Sequence, residues 1–377
     1  MKPVPRLSGI TRLKTELLCA GVRVDSGASK GRVVGAGPSG GRYILLPRTL
    51  TPPTNVPTWG KFISTSPFQI SKIKSGSPYA EYLLHHKDDE IKVKIVENVS
   101  FLKKSTGDGT PMWKIASLHG VDVVATTLNK YCSYWKNELE CKFCAIQHNI
   151  KMHNRKSLAV KNVEHIVDVV VEAEKEGFCK HVTLTSGSTN TPDRGLSQYI
   201  PYLKELKEKT SVPIHVQTEP PNNTGELSKL YDAGADTIGI HIETFDENVR
   251  REICPGKSMV SMKKYFEAWS QALKIFGENQ VDTFILCGLG EREKETLSNI
   301  EKLCSEGIIP YIVPVRHLPE TQTENMSPPD PSSILRILVS TVSHIKDYGL
   351  KLERNKAGCI RCGACSPIRE AIEYGCE

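Results

Sequence analysis

The sequence has no apolar run approaching the roughly eighteen residues that a membrane-spanning helix needs. Its first residues, MKPVPRLSGITRLKTE, are basic but contain neither an apolar core nor a small-residue cleavage site, so they do not read as a signal peptide. A reducing cytoplasm is the expected location. No block of Lys and Arg with interleaved aromatics occurs, and both charge signs are mixed along the chain to a net charge of +6. Nucleic acid and membrane are therefore not expected partners. No internal repeat or low-complexity stretch stands out. The Gly-rich segment from Gly31 to Gly41 lacks the Lys-Ser/Thr ending of a phosphate-binding loop and a following helix. It reads as turns between short strands.

Cysteine, by contrast, is plentiful and clustered. Of twelve cysteines in 377 residues, six fall in two triplets. A secreted disulfide framework spreads its cysteines through a short chain, so clustering in a long one fits metal binding better. The first triplet is Cys132, Cys141 and Cys144, with the spacing C-x8-C-x2-C. Three thiolates on one loop can hold three irons of a [4Fe–4S] group and leave the fourth open. A tetrahedral zinc site is the competing reading, with His148 completing C-x2-C-x3-H. The second triplet, Cys359, Cys362 and Cys365, has the C-x2-C-x2-C run that opens bacterial ferredoxin motifs, with Cys376 as a candidate fourth ligand and Cys19, Cys254 and Ser366 as its competitors. An auxiliary [4Fe–4S] group is expected there, with zinc or free thiols as alternatives. Cys179 and Cys304 read as small buried side chains.

Residues 1–115 read as a mostly β extension, with strands at 43–46, 62–66 and 91–97. From 116 the pattern alternates: strands at 121–127, 181–185, 213–217, 237–242, 281–287 and 309–315, and helices at 163–177, 199–210, 225–233, 262–276, 291–306 and 332–348. Repeated βα units with short connections argue for parallel strands covered by helices. The expected fold is α/β: a partial (β/α)6 barrel over residues 116–350, with a cysteine-rich tail at 351–377. A doubly wound sheet is the alternative, and in either case ligands gather at the carboxyl ends of the strands.

Cys141 and Cys144 form a C-x2-C pair with Phe143 just before the last cysteine, and Cys132 precedes them. In this the chain resembles the radical S-adenosylmethionine (SAM) superfamily, although that family usually has three residues, not eight, in the first gap. The likeness runs over about residues 116–330 and is similar to biotin synthase and lipoyl synthase. It implies that the open iron binds the amino and carboxylate groups of SAM, whose reduction releases a 5′-deoxyadenosyl radical.

The resemblance also implies roles for residues at the strand ends. Ser186 and Gly187, in the turn after the second strand, would bind the SAM amino group. Gln217 and Glu219, which alternation puts on one face with His215, would contact SAM or substrate. Glu243 would take a ribose or amine contact, and His241 would act as ligand or proton handler. Arg250 would pair with the SAM carboxylate, leaving Arg251 on the surface. Gly288 and Gly290 would pack near the adenosyl part, with backbone at Pro314 touching adenine. Arg316 would meet an acidic substrate, and Cys254 could approach the centre. Each has a plain structural reading beside it, as polar packing, turn or surface residue.

The expected activity is C–H functionalisation, as sulfur insertion resembling biotin or lipoyl synthase. The tail group would donate sulfide or relay electrons. Rearrangement, methylation or dehydrogenation, or a non-enzymatic iron–sulfur electron carrier, are the alternatives. Expected partners are an electron donor such as ferredoxin or flavodoxin, an acyl-carrying lipoyl domain docking on the extension, and a second radical SAM protein.

Overall fold

The computed structural model describes residues 8–26, 28–31, 40–47, 52–148, 150 and 158–376. The chain builds two sheets, each with its own apolar core. In the extension, helix α1 (Ser8–Ala20) precedes strands β1 (Arg23–Val24), β2 (Arg42–Leu45), β3 (Thr54–Val56), β4 (Phe68–Lys74), β5 (Tyr79–His86) and β6 (Asp89–Val96). Their order is β1-β4-β5-β6-β2-β3. Alternation turns Phe68 and Ile70 of β4, and Ala80, Tyr82 and Leu84 of β5, into one buried face. Residues 62–66, expected as a strand, lie in a 3-10 turn (Lys61–Thr65) instead. The hydroxyls of Ser64 and Thr65 donate back to the carbonyls of Lys61 and Phe62 at 2.8 and 2.9 Å, which favours the tight turn over a ladder. The Gly-rich segment lies outside the described residues over 32–39.

The main unit follows as α2 (Met112–Ile115), β7 (Ser117–His119), β8 (Val123–Thr127), α3 (Val163–Lys175), β9 (His181–Thr185), α4 (Ile200–Lys209), β10 (Ile214–Thr218), α5 (Ser228–Asp232) and β11 (Thr237–Ile240). It continues with α6 (Glu247–Ile253), α7 (Pro255–Ser258), α8 (Met262–Phe276), β12 (Val281–Cys287), α9 (Glu293–Ser305), β13 (Ile309–Pro314) and α10 (Pro331–Asp347). The strands run in sequence order, β8 to β13 all parallel, with β7 antiparallel on one edge. A sheet that never reverses its order has no switch point, so this is an open, curled partial barrel and not a doubly wound sheet.

The covering helices follow from their patterns and caps. Tyr265, Ala268, Trp269, Ala272 and Phe276 recur every three or four residues along α8 and face the core. The Ser261 hydroxyl accepts the Lys264 N–H at 3.2 Å to start that helix. Asp330 caps α10, with Pro331 pre-set at its first position. No described helix is long and apolar enough to cross a membrane.

The tail carries α11 (Cys359–Cys362) and α12 (Ile368–Tyr374). It runs across the starting ends of the parallel strands. Lys356 N–H donates to Gln280 Oε1 at 3.1 Å, Thr237 Oγ1 to the Ala357 carbonyl at 3.2 Å, and Gly358 N–H to His181 Nδ1 at 3.0 Å. A Cβ at Gly358 would stand 2.3 Å from the His215 ring, so this crossing needs glycine. Helix α1 fastens the tail from outside: buried Lys14 donates to the Gly363 carbonyl at 2.8 Å and to Glu370 Oε1 at 2.6 Å. Strand β3 adds an Asn55 N–H to the Ala364 carbonyl at 2.8 Å.

Candidate active site

A cavity of about 300 Å³ opens at the carboxyl ends of the parallel strands. Cys132, Cys141, Cys144 and Phe143 reach it from the loop after β8. Ser186 and Gly187 reach it from the end of β9, Gln217 and Glu219 from β10, His241 and Glu243 from β11, and Pro314 from β13. Cys365 of the tail lines the same cavity.

The cysteine loop is shaped by short-range contacts. A 3-10 turn (Ser133–Asn137) ends at Glu138, held at φ 55°. Ser133 N–H donates to the Ser188 carbonyl at 2.8 Å, and Lys142 N–H to the Ile253 carbonyl at 2.8 Å. A Cβ at Gly187 would stand 2.7 Å from the Tyr131 carbonyl oxygen, so glycine is what lets the two loops close. The His148 ring meets Trp135 edge-on at 4.8 Å, with Nδ1 3.8 Å from Glu320.

Burial pushes the Cys132 thiol up to about 11 and raises Cys144 further, with the Cys141 thiol adding to the latter. Cys141 is raised first by the buried Cys254 thiol beside it and then by burial. These are neighbouring thiols on a sheltered wall, a donor set that ionises readily only against a bound metal. Among the described residues, no three Cys, His, Asp or Glu side chains form a group that could hold a single metal ion.

Beside the thiols lies a charged wall. Lys257 donates to Glu243 Oε1 at 2.5 Å and to the His241 carbonyl at 3.1 Å. Burial works against its charge, but Glu243, Tyr265 and Glu219 outweigh it and hold the ammonium well above its ordinary pKa. Glu219 accepts from Tyr134 Oη at 2.8 Å and Ser188 Oγ at 2.5 Å, and Arg194 Nη1 donates to the same Tyr134 oxygen at 3.1 Å. Arg194 and Glu243 hold φ of 54° and 69°, and both line the cavity. Left-handed backbone at non-glycine residues is uncommon and collects at functional sites. Phe284 N–H donates to His241 Nδ1 at 3.1 Å, and the two rings stack at 4.1 Å. Burial, then Lys257, keeps that imidazole well below its ordinary pKa.

Several residues singled out in the sequence stand elsewhere. Arg250 is buried outside the cavity lining: its Nη2 donates to the carbonyls of Lys257 and Val260 at 2.7 and 2.8 Å, and its guanidinium lies 4.9 Å from the Tyr265 ring centre. It therefore holds the loop that presents Lys257, and Lys257 is the cation on the wall. Sequence reading missed Lys257 because ICPGK gives no sign of which way its side chain turns. Gly288 and Gly290 line a separate cavity of about 180 Å³. Glu291 accepts the N–H groups of Gly288 and Leu289 at 2.8 Å each, closing that turn on itself. Arg316 lines the main cavity, but its guanidinium binds the Gly40 and Asn55 carbonyls of the extension. His215 sits deeper, its Nδ1 2.7 Å from Thr237 Oγ1.

In the tail, Cys359, Cys362 and Cys365 lie close enough to act on one another. Cys376 has Lys346 of α10 as the charged group acting on it. The Gly375 carbonyl before it accepts from Thr11 of α1 at 2.6 Å.

The family profile for the Radical SAM superfamily matches residues 138–303, beginning inside the cysteine loop. Residues 138–303 thus match a radical SAM domain. The match supports enzymatic activity of the radical SAM type, a class that works with SAM and iron–sulfur groups. Among curated proteins the chain is similar to bacteriochlorophyllide c C-7(1)-hydroxylase of Chlorobaculum limnaeum, 28% identical over 134 residues. That match covers 34% of this chain and spans 33%, about a third, of the relative. Among solved structures it is similar to methylornithine synthase, at 14% identity and a TM-score of 0.45, over 66% of this chain and 72% of that one. It is also similar to the FeFe-hydrogenase maturase HydG from Carboxydothermus hydrogenoformans, at 16% identity and a TM-score of 0.46, over 66% of this chain and 54% of that one. The assignment of the radical SAM domain to a partial barrel rests on its own strand order and register.

Proposed function

We propose that the enzyme binds a [4Fe–4S] group at Cys132, Cys141 and Cys144, and SAM beside it, to abstract hydrogen from a C–H bond of a small substrate in the same cavity. One observation carries this reading: the three thiols and the polar ends of successive parallel strands line a single cavity. When bound, the iron–sulfur group with SAM supplies a one-electron reduction of the sulfonium that releases an adenosyl radical. The chain's own residues bind and shelter. Lys257, kept charged by Glu243, suits a carboxylate, and Glu219 suits an ammonium. Phe143, Phe284, Leu286 and Val313 make much of the lining apolar and exclude water from a radical. An external electron donor of the ferredoxin or flavodoxin type fits this chemistry.

The test is anaerobic reconstitution with iron, sulfide and SAM, reading 5′-deoxyadenosine release. Cys144→Ala should abolish release, and Cys362→Ala should retain it. Release that survives Cys144→Ala overturns the assignment.

A second reading, sulfur insertion, draws on Cys365 sharing the cavity, which would set a tail iron–sulfur group beside the substrate. Incubation with octanoylated and dethiobiotin-type substrates, followed by mass spectrometry, tests it. No sulfur gain on either leaves rearrangement, methylation or dehydrogenation. An octanoyl-bearing lipoyl domain docking on the extension, and a second radical SAM protein, belong to the sulfur reading alone.

A further inference from the structure

The inference concerns the tail thiols, and it rests on the reading that Cys359, Cys362 and Cys365 hold an iron–sulfur group. Two barrel side chains converge on them. Tyr311, on β13, is fully buried, and its hydroxyl has no hydrogen-bond partner among the described residues. All three tail thiols lie near enough to act on that hydroxyl, and the Cys365 backbone N–H faces its oxygen. Gln217, at the end of β10, points its amide at the same place, with Nε2 3.5 Å from Cys359 Sγ. A buried phenol normally finds an acceptor, because leaving its O–H unmade forfeits on the order of 1–3 kcal/mol. Here the ionisable groups that act on the O–H are the three tail thiols.

The tail backbone around it is fixed by hydrogen bonds at Lys356, Gly358, Gly363 and Ala364, made by Gln280, His181, Lys14 and Asn55 from four other segments. His181 Nε2, His215 Nε2 and both Asp282 oxygens nearby are also buried without a hydrogen-bond partner among the described residues. The crowding is also tight: a Cβ at Gly120 would stand 3.2 Å from Cys362 Sγ. The unmatched O–H stands among the tail thiols. It is a donor that the sulfur of a group held by these thiols would satisfy.

We propose that Tyr311 and Gln217 are positioning residues of the tail site, donating O–H···S and N–H···S hydrogen bonds to sulfurs held at Cys359, Cys362 and Cys365 and raising its reduction potential. The physical reason is charge. One added electron spreads over the sulfurs, and a donor pointed at them stabilises the reduced state more than the oxidised one. Cys365 faces the cavity that also holds the first triplet, so the tuned site would look onto the reaction chamber.

The experiment uses the full chain with Cys132, Cys141 and Cys144 changed to Ser, reconstituted anaerobically with ferrous iron and sulfide. Iron is counted, and the tail group is titrated with dithionite and mediators while electron paramagnetic resonance follows the one-electron couple. Tyr311→Phe and Gln217→Leu are then compared with this parent. The expected result is unchanged iron content and a midpoint moved to more negative potential in both. An unmoved midpoint overturns the proposal. So does loss of iron from a Tyr311→Phe chain whose melting curve is unchanged, because that would make the phenol a ligand. If the parent itself binds no iron, the reading of the tail fails, an outcome distinct from failure of the hydrogen bonds.

Discussion

The two cysteine triplets are built in opposite ways. The first lies on a loop at the open end of the barrel, where Lys136, Asn137 and Glu138 are exposed and the thiols are half-buried. It is shaped by local turns and by Gly187 pressed against the Tyr131 carbonyl. The second lies on a segment whose backbone is threaded among buried residues and fastened by the extension, the barrel base and a buried ion pair. A site that must admit a cofactor and substrate sits on a loop carried by a rigid scaffold. A site fastened by segments from distant parts of the chain needs those parts folded before it exists. Changes to the fastenings should therefore strip the tail group and spare the mouth.

The largest such effect is expected from Lys14→Met. It leaves the Glu370 carboxylate buried without its partner, and breaking a buried pair costs about 3–5 kcal/mol. Thermal unfolding should show the loss, and iron analysis should show the tail group depleted. Release of 5′-deoxyadenosine should persist, and its disappearance together with tail iron would erase the distinction between the two sites.

Acid should work in the same direction with a smaller effect. Burial pulls His181 and His215 down to about 3 from an ordinary 6.5, and His181 Nδ1 must stay unprotonated to accept the Gly358 N–H. Between those values the unfolded chain binds protons that the folded chain refuses. Stability is then full above about pH 6.5 and falls as pH drops toward 3. At pH 5 each ring costs on the order of 2 kcal/mol. Urea unfolding and limited proteolysis at pH 7.5 and 5 should show the tail cut first in acid. Equal protection at both values would count against the histidines as fastenings.

The smallest effect belongs to the mouth. Glu138 is an exposed non-glycine residue at φ 55°. Glu138→Gly relieves that strain but loosens the unfolded chain, for a net gain of no more than about 1 kcal/mol. The urea midpoint should hardly move and SAM cleavage should continue; a large loss of iron would mean that the Glu138 side chain itself holds the loop.

Much of the barrel was written in local pattern. Strands β9 and β12 and helix α8 begin and end where periodicity puts them. Helix α1 escaped notice, although Ile10, Leu17 and Leu18 are buried along it. Its apolar face makes sense only against a sheet and tail distant in sequence. The short helices α6 and α7 were missed because a turn or two of helix shows almost no period.

The sequence by itself determined the alternation of strands and helices and the thiol chemistry, because hydrophobic period and cysteine spacing are local properties. Only the tertiary structure decided which charges meet at the cavity. Arg250 and Lys257 are both basic residues of one loop, yet one turns inward onto backbone carbonyls and the other onto Glu243. Likewise Cys365 joins the cavity and Cys376 does not, since a tail's path is set by what it packs against. Side-chain direction and long-range packing depend on residues far apart in the chain, and no short window of sequence contains them.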